Sequence, residues 1–241
     1  MIIHVDLHTH SDLSPCGDSM MTPGTLLGIA KVNGLDAVAI TDHNASYNIP
    51  AALKIAEAYD IVLVPGMELE TSEEIHVVCL FPTYEQLAEF QKTVCDSYTP
   101  PDNRPEIFGE QHIYNEEDEI VGEWKPLLLA STGISIDDVP ALVEKCGGLA
   151  YPAHVDRDSY SVLTTFGMLP EWYNLPFVEV SCDAPVEEVL KQYPFLKDYK
   201  LLRSSDAHYH HKIQETGAAL DVDENTAAGV IKALRQGRIV G

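Results

Sequence analysis

The chain has 241 residues, 45% of them hydrophobic, enough for a substantial core in one large α/β domain or two small ones. Its 38 acidic against 15 basic side chains leave a formal charge of −23, which argues against binding a long nucleic-acid backbone, since that needs a basic stripe to displace counterions. Five cysteines without a CxxC pair argue against a disulfide framework or a structural zinc site. No basic-then-apolar leader opens the sequence and no apolar run nears the roughly 20 residues of a membrane span, so a cytoplasmic protein without a membrane partner is expected.

Predicted strands and helices alternate along the chain. Residues 2–6, "IIHVD", read as a strand; residues 22–34 then read as a helix, with Thr22 as N-cap, Pro23 in the first turn and Gly34 past the end. "DAVAIT" (36–41) is the next strand and "IPAALKIAEAY" (49–59) the next helix. Residues 61–70 and 74–81 read as two strands joined by the polar turn "TSEE". A capped helix follows at 83–94, and Ser135 opens another over 136–148 that ends in glycine. "LAYPAH" (149–154), "FVEVS" (177–181) and "KLLRSSDAH" (200–208) are later strands, with helices at 185–193 and 225–236. Such alternation predicts a mostly parallel sheet with crossover helices. The rhythm breaks from Ser97 to about residue 130, where the chain is polar, acidic and proline-bearing. Within it "QHIYNEEDEIVGEW" can fold back as a hairpin, and the whole segment reads either as a lid or as a surface excursion. With no repeat or linker, a single domain over 1–241 is expected, carrying an insertion at about 97–130.

The potential metal ligands gather at strand ends. His8 and His10, two apart, point to the same side of the first strand. Asp42 and His43 end the second strand, Glu68 the third, and His76 lies on its hairpin partner. His154 follows a later strand, and Asp206 and His208 follow the last but one. In parallel α/β folds the C-terminal strand ends share one face, where function concentrates. A single strand-end histidine is ordinarily a hydrogen-bonded or surface residue; six such segments together read as a multinuclear metal centre. Imidazole with carboxylate and no thiolate suits zinc, manganese or iron.

In this order "DLHTHS", "TDHN", "GMELE", "IHVVCLF", "PAHVDR" and "SSDAH" resemble the motifs of the polymerase-and-histidinol-phosphatase (PHP) family, from about His4 to His208. The resemblance implies a distorted (β/α)7 barrel, a cluster of two or three divalent ions and phosphoester hydrolysis. It implies that His8, His10, Glu68 and Asp206 hold one ion, that Glu68 bridges to a second held by His76 and His154, and that His43 and His208 hold a third. The family usually supplies a further His or Asp to the third ion. Here the spacing offers Cys16, Asp12 or Asp18; Asp18 is chosen for its oxygen donor, although it can equally cap the turn before the first helix.

Arg157, three residues after His154, reads as a bidentate phosphate clamp or else as a surface ion pair with Asp156 or Asp158. His210 and His211 are expected at the rim, His4 in the core or behind the ligands, and His112 is left without a role. The expected function is a metal-dependent phosphoesterase acting on a small phosphomonoester, such as a nucleotide, sugar phosphate or amino-alcohol phosphate. Asp206 and Arg157 are the expected catalytic groups, and long nucleic acid is not an expected partner. Two other readings stay open, an amidohydrolase-like enzyme and a catalytically silent metal-binding regulatory module.

Overall fold

The computed structural model describes residues 1–215 and 217–240. Strand β1 (Ile2–Thr9) leads through α1 (Pro23–Val32) to β2 (Ala37–Ile40), and α2 (Ile49–Tyr59) leads to β3 (Val62–Glu70). These three strands pair in parallel, whereas β4 (His76–Leu80) turns back on β3 as the expected hairpin. After α3 (Tyr84–Ser97) the chain makes an excursion through the short α4 (Pro105–Phe108), β5 (His112–Tyr114) and β6 (Ile120–Glu123). It returns by α5 (Val139–Lys145) and pairs β7 (Leu149–Pro152) antiparallel to β4. Helix α6 (Val162–Phe166), β8 (Phe177–Ser181), α7 (Val186–Gln192) and β9 (Lys200–Ser204) follow, with β8 and β9 parallel. Finally β10 (Ala218–Asp221), α8 (Ala227–Arg235) and β11 (Ile239–Val240) extend the sheet on the free side of β1.

The principal sheet is curled, in the order β11-β10-β1-β2-β3-β4-β7, and the β8–β9 pair fills the space between its ends. Single ties rather than full ladders make the two joins. The Val155 N–H donates to the Glu179 carbonyl at 3.0 Å, and the His10 N–H donates to the Ala207 carbonyl at 2.9 Å beside a parallel bridge from Thr9 to Ala207. The staves β1, β2, β3, β4, β7, β8 and β9 therefore form the expected distorted α/β barrel.

Local chemistry explains the main elements. The Thr22 hydroxyl accepts the Thr25 N–H at 3.1 Å to start α1, and Leu26, Leu27 and Ala30 on its inner face are buried. The side chains of α2 do the same through Ala52, Ile55 and Ala56, joining one continuous apolar core. Gly66 in β3 is required by packing: a Cβ there would lie 2.7 Å from Thr41 Cγ2. Ser135 does not open α5. Its hydroxyl donates to Glu73 Oε1 at 2.6 Å, and the helix starts at Val139. No helix among the described residues is long and apolar enough to cross a membrane.

The excursion is built around the expected hairpin, with β5 and β6 antiparallel. Ile113 and Trp124 pack on a small cluster of Leu13, Ala45 and Leu128, and Trp124 lies against the Tyr47 ring at 4.4 Å between centroids. Polar groups fasten its base. Buried Asp12 accepts from His112 Nδ1 at 2.7 Å and from the Tyr114 hydroxyl at 2.6 Å, while the Asn48 amide bonds the backbone of both.

Candidate metal centre

All six strand-end segments open at one end of the barrel. Glu68, fully buried, is the hub. Its Oε1 lies 3.1 Å from His8 Nε2, 3.0 Å from His76 Nδ1 and 3.2 Å from His154 Nε2. Its Oε2 lies 3.1 Å from His43 Nδ1 and 3.3 Å from His10 Nε2. Asp206 Oδ1 lies 2.9 Å from His10 Nε2 and 3.3 Å from His8 Nε2. Three sets of donor atoms each converge closely enough to hold one ion: His8, His10, Glu68 and Asp206; His43, Glu68 and His76; and His10, His43 and His208.

The donors fit metal rather than one another. His8 Nε2, His10 Nε2, His43 Nδ1, Glu68 Oε2 and Asp206 Oδ1 are buried without a hydrogen bond, despite these short separations. Buried polar atoms are rarely left unpaired, and lone pairs that converge without hydrogen-bond angles are what a cation needs. The ring nitrogens on the far sides are held by the protein. The His8 Nδ1–H donates to Glu179 at 2.9 Å, and the His10 Nδ1–H donates to Ser14 Oγ at 3.0 Å. Each ring is thereby oriented with Nε2 toward the cluster, where a metal would displace its proton.

Charge balance gives the same answer. Burial opposes ionisation of Glu68, yet His76, His8 and His43 outweigh it and hold the carboxyl well below the usual range. Asp206 is likewise held low against burial by His8 and His10. Burial is the main force on His43, which is driven well below its ordinary value, and on His208, pushed down to about 4 with help from His10. Burial is overcome by Glu68 and Asp206 at His8, which is raised well above normal, and by Glu68 at His76, raised to about 9. Without ions, protons on His8 and His76 supply the neutralisation that a divalent cation would provide on displacing them.

Backbone strain marks the same place. His154, Asp206, Asn44 and Tyr160 have φ of 25°, 48°, 50° and 54°, a region that non-glycine residues seldom occupy. The left-handed steps at His154 and Asp206 follow the ends of β7 and β9, so both strands stop before the expected 154 and 208.

The expected ligands His8, His10, His43, Glu68, His76, His154, Asp206 and His208 are all brought together. Asp18 is not: its carboxylate accepts the Met20 N–H at 2.8 Å and caps its own turn, outside the three donor sets. His10 is the donor found beside His43 and His208, although the same ring also belongs to the set with His8, Glu68 and Asp206. Cys16 is exposed and lines the cavity, and Asp12 is committed to the excursion. Arg157 does not pair with Asp156 or Asp158. Its Nη1 lies 2.5 Å from Asp206 Oδ2 and its Nε–H donates to Ser181 Oγ at 3.3 Å. His210 and His211 lie in a short turn outside the donor sets, and His4 is at the opposite end of β1, paired with Ala219.

Two supporting acids, Glu179 and Glu70, escaped the sequence reading, and a third, Asp42, was placed at its strand end without its role. Glu179 fixes His8 and also accepts the His154 N–H at 3.0 Å; its signal was one carboxylate in an otherwise apolar strand. Asp42 accepts from the Ser11 N–H and from both the Ser11 and Ser14 hydroxyls, anchoring the loop after His10. Glu70, two residues beyond the hub, lies 3.7 Å from His76 and lines the cavity. That cavity, about 330 Å³, is walled by His43, His76, His154, Asp206 and His208, with Arg157, Ser159, Tyr160 and Leu129 among its other lining residues.

Comparison with known proteins places this geometry. The PHP domain family matches residues 6–144, more than half of the chain. The 5'-3' exoribonuclease Rnm of Salmonella typhimurium is 38% identical over 80 residues, 31% of this chain and 26% of its own. The lesion-specific endonuclease PfuEndoQ of Pyrococcus furiosus superposes with a TM-score of 0.70 and 20% identity, over 98% of this chain and 56% of its own. Endonuclease Q in complex with a 27-mer duplex carrying an abasic lesion at the active site gives 0.68 and 20%, over 98% and 57%. The chain thus spans about a quarter of the exoribonuclease and just over half of the endonuclease.

These relatives correct the expectation of a small substrate with long nucleic acid excluded. A duplex occupies the active site of a protein with this fold, and another relative is an exoribonuclease. Net charge was the wrong quantity. It sums the whole surface, whereas cations bound at a site set the local field.

Proposed function

The chain belongs to the PHP domain family of metal-dependent hydrolases, and from that premise we propose that it hydrolyses phosphodiester bonds of a nucleic-acid strand. The observation that carries the reading is Glu68, one buried carboxylate shared by five imidazoles, with the carboxylate of Asp206 beside it. The endonuclease and exoribonuclease relatives support the substrate class.

Zinc, manganese or iron bound here would lower the pKa of water and draw charge from phosphoryl oxygens. His8, His10, Glu68 and Asp206 would hold one ion, and Glu68 with His76, His43 and His154 a second. His43, through its other ring nitrogen, and His208 would be left as donors toward a third, because the one nitrogen that His10 turns to the cluster serves the first ion. Asp206 and Glu70 line the cavity while Glu68 does not, and of the two Asp206 belongs to a donor set, which makes it the proposed proton acceptor for an attacking water. Arg157 is anchored by Asp206 and Ser181, and its remaining N–H donors are left for the non-bridging phosphate oxygens. Fixed donors of this kind act by meeting charge without reorganising.

The test is hydrolysis by protein reconstituted with each metal, on single-stranded DNA and RNA oligonucleotides beside phosphomonoesters and amides. Oligonucleotide cleavage that needs added metal and is abolished by Glu68→Gln is the expected result. Turnover of monoesters or amides alone would overturn the reading.

A further inference from the structure

Tyr160 is left without a role by the chemistry above. Its ring lies face to face with His76, 4.5 Å between centroids and 16° from parallel, yet the residue remains 46% exposed. Among the described residues lining the metal cavity, Tyr160 and Leu129 are the two large apolar side chains. The loop that carries Tyr160 is fixed at several points. The Tyr160 carbonyl accepts the His76 N–H at 2.9 Å, the Ser161 hydroxyl donates to the Val155 carbonyl at 2.9 Å, and the Thr164 hydroxyl donates to the Arg157 carbonyl at 2.7 Å. The left-handed backbone at Tyr160, φ 54°, is maintained rather than relaxed. An aromatic ring held this firmly, half in solvent and lining the same cavity as Arg157, is preorganised to receive another flat ring.

We infer that Tyr160 is a stacking platform for the base of the nucleotide adjoining the cleaved phosphodiester. The inference rests on the nucleic-acid reading above and specifies how that substrate is gripped. Arg157 and the metal donors address the phosphate, which every nucleotide carries. The Tyr160 ring addresses the base, and because every base has a π-face it does so with little sequence preference. The cavity, about 330 Å³, is at the small end for ligand sites. It therefore takes about one nucleotide, entering from a strand end or turned out of its stack.

Two single-stranded oligonucleotides that differ only by one abasic nucleotide next to the cleaved bond provide the test. Wild-type protein should prefer the base-bearing strand. Tyr160→Ala should lower that preference roughly 5- to 150-fold, mostly through KM, and Tyr160→Phe should retain it. A binding readout independent of turnover is 2-aminopurine at the same position in a nuclease-resistant phosphorothioate strand. Its fluorescence should be quenched by wild type and Tyr160→Phe, and much less by Tyr160→Ala. A ring that merely supports His76 gives another pattern: Tyr160→Ala loses metal, or loses equally on both strands, and the platform is then overturned. If wild type cuts neither oligonucleotide, the nucleic-acid reading falls and takes the platform with it.

Discussion

Five imidazole nitrogens stand within 3.3 Å of the Glu68 carboxylate, so its charge matters more than its bulk. Glu68→Gln keeps the volume and removes the anion that two ions would share. The expected outcome is a rate loss of roughly two orders of magnitude or more with lower metal content, measured by kinetics and elemental analysis. His210→Ala, outside the donor sets, should be far milder, and equal losses would mean that the centre is misplaced. Arg157 calls for a smaller figure. Its side chain is 41% exposed and already shared with Asp206, so solvent screens part of any phosphate contact. Arg157→Ala should cost about 1–2 kcal/mol, roughly 5- to 30-fold in kcat/KM, with metal content unchanged. Arg157→Lys should restore part of that, because a point charge cannot copy the planar fork. A change below about threefold would leave phosphate recognition to the ions.

At the scale of elements, the excursion depends on a loop that also carries ligands. Asp12 is two residues from His10 and accepts from both His112 and Tyr114 at the base of the β5–β6 hairpin. Asp12→Ala leaves the buried Tyr114 hydroxyl unpaired, at about 1–3 kcal/mol. Amide exchange should quicken through residues 105–123, with little change in β1 to β4; uniform quickening would show that the hairpin has no separate stability. His112 had no role in the sequence reading because its partner is 100 residues away. Local patterns were the legible ones. Period-two spacing put His8 and His10 on one side, and capping threonines opened α1 and α3. Spacing within a loop does not say where a side chain turns, which is why Asp18 misled and the His10 contribution to the third donor set went unseen. Glu179 and the short β10 and β11 carry too little pattern to be read without their neighbours.

For the whole molecule, metal removal should register as instability with a defined pH dependence. His76 in the metal-free fold titrates near 9 against 6.5 unfolded, because the effect of Glu68 exceeds that of burial. A raised value stabilises the fold fully below pH 6.5, and that contribution is lost as pH rises through about 9. Chelator-treated protein should therefore melt progressively lower from pH 6.5 to 9, while metal-loaded protein should melt higher and change less over that window. Parallel curves for the two forms would mean that the cluster contributes little to folding. The join between β1 and β9 lies at this same place, with the His10 N–H on the Ala207 carbonyl and the Ser205 hydroxyl on the His8 carbonyl, a pair 197 positions apart in sequence. During synthesis His8 and His10 emerge long before their counterparts Asp206 and His208. A nascent chain can pair β1 to β4 and bury much of the core while no complete His8–His10–Glu68–Asp206 set exists. Metal can be captured by that set only once residue 206 has emerged, so the centre closes after the strands that carry its first ligands can already have paired.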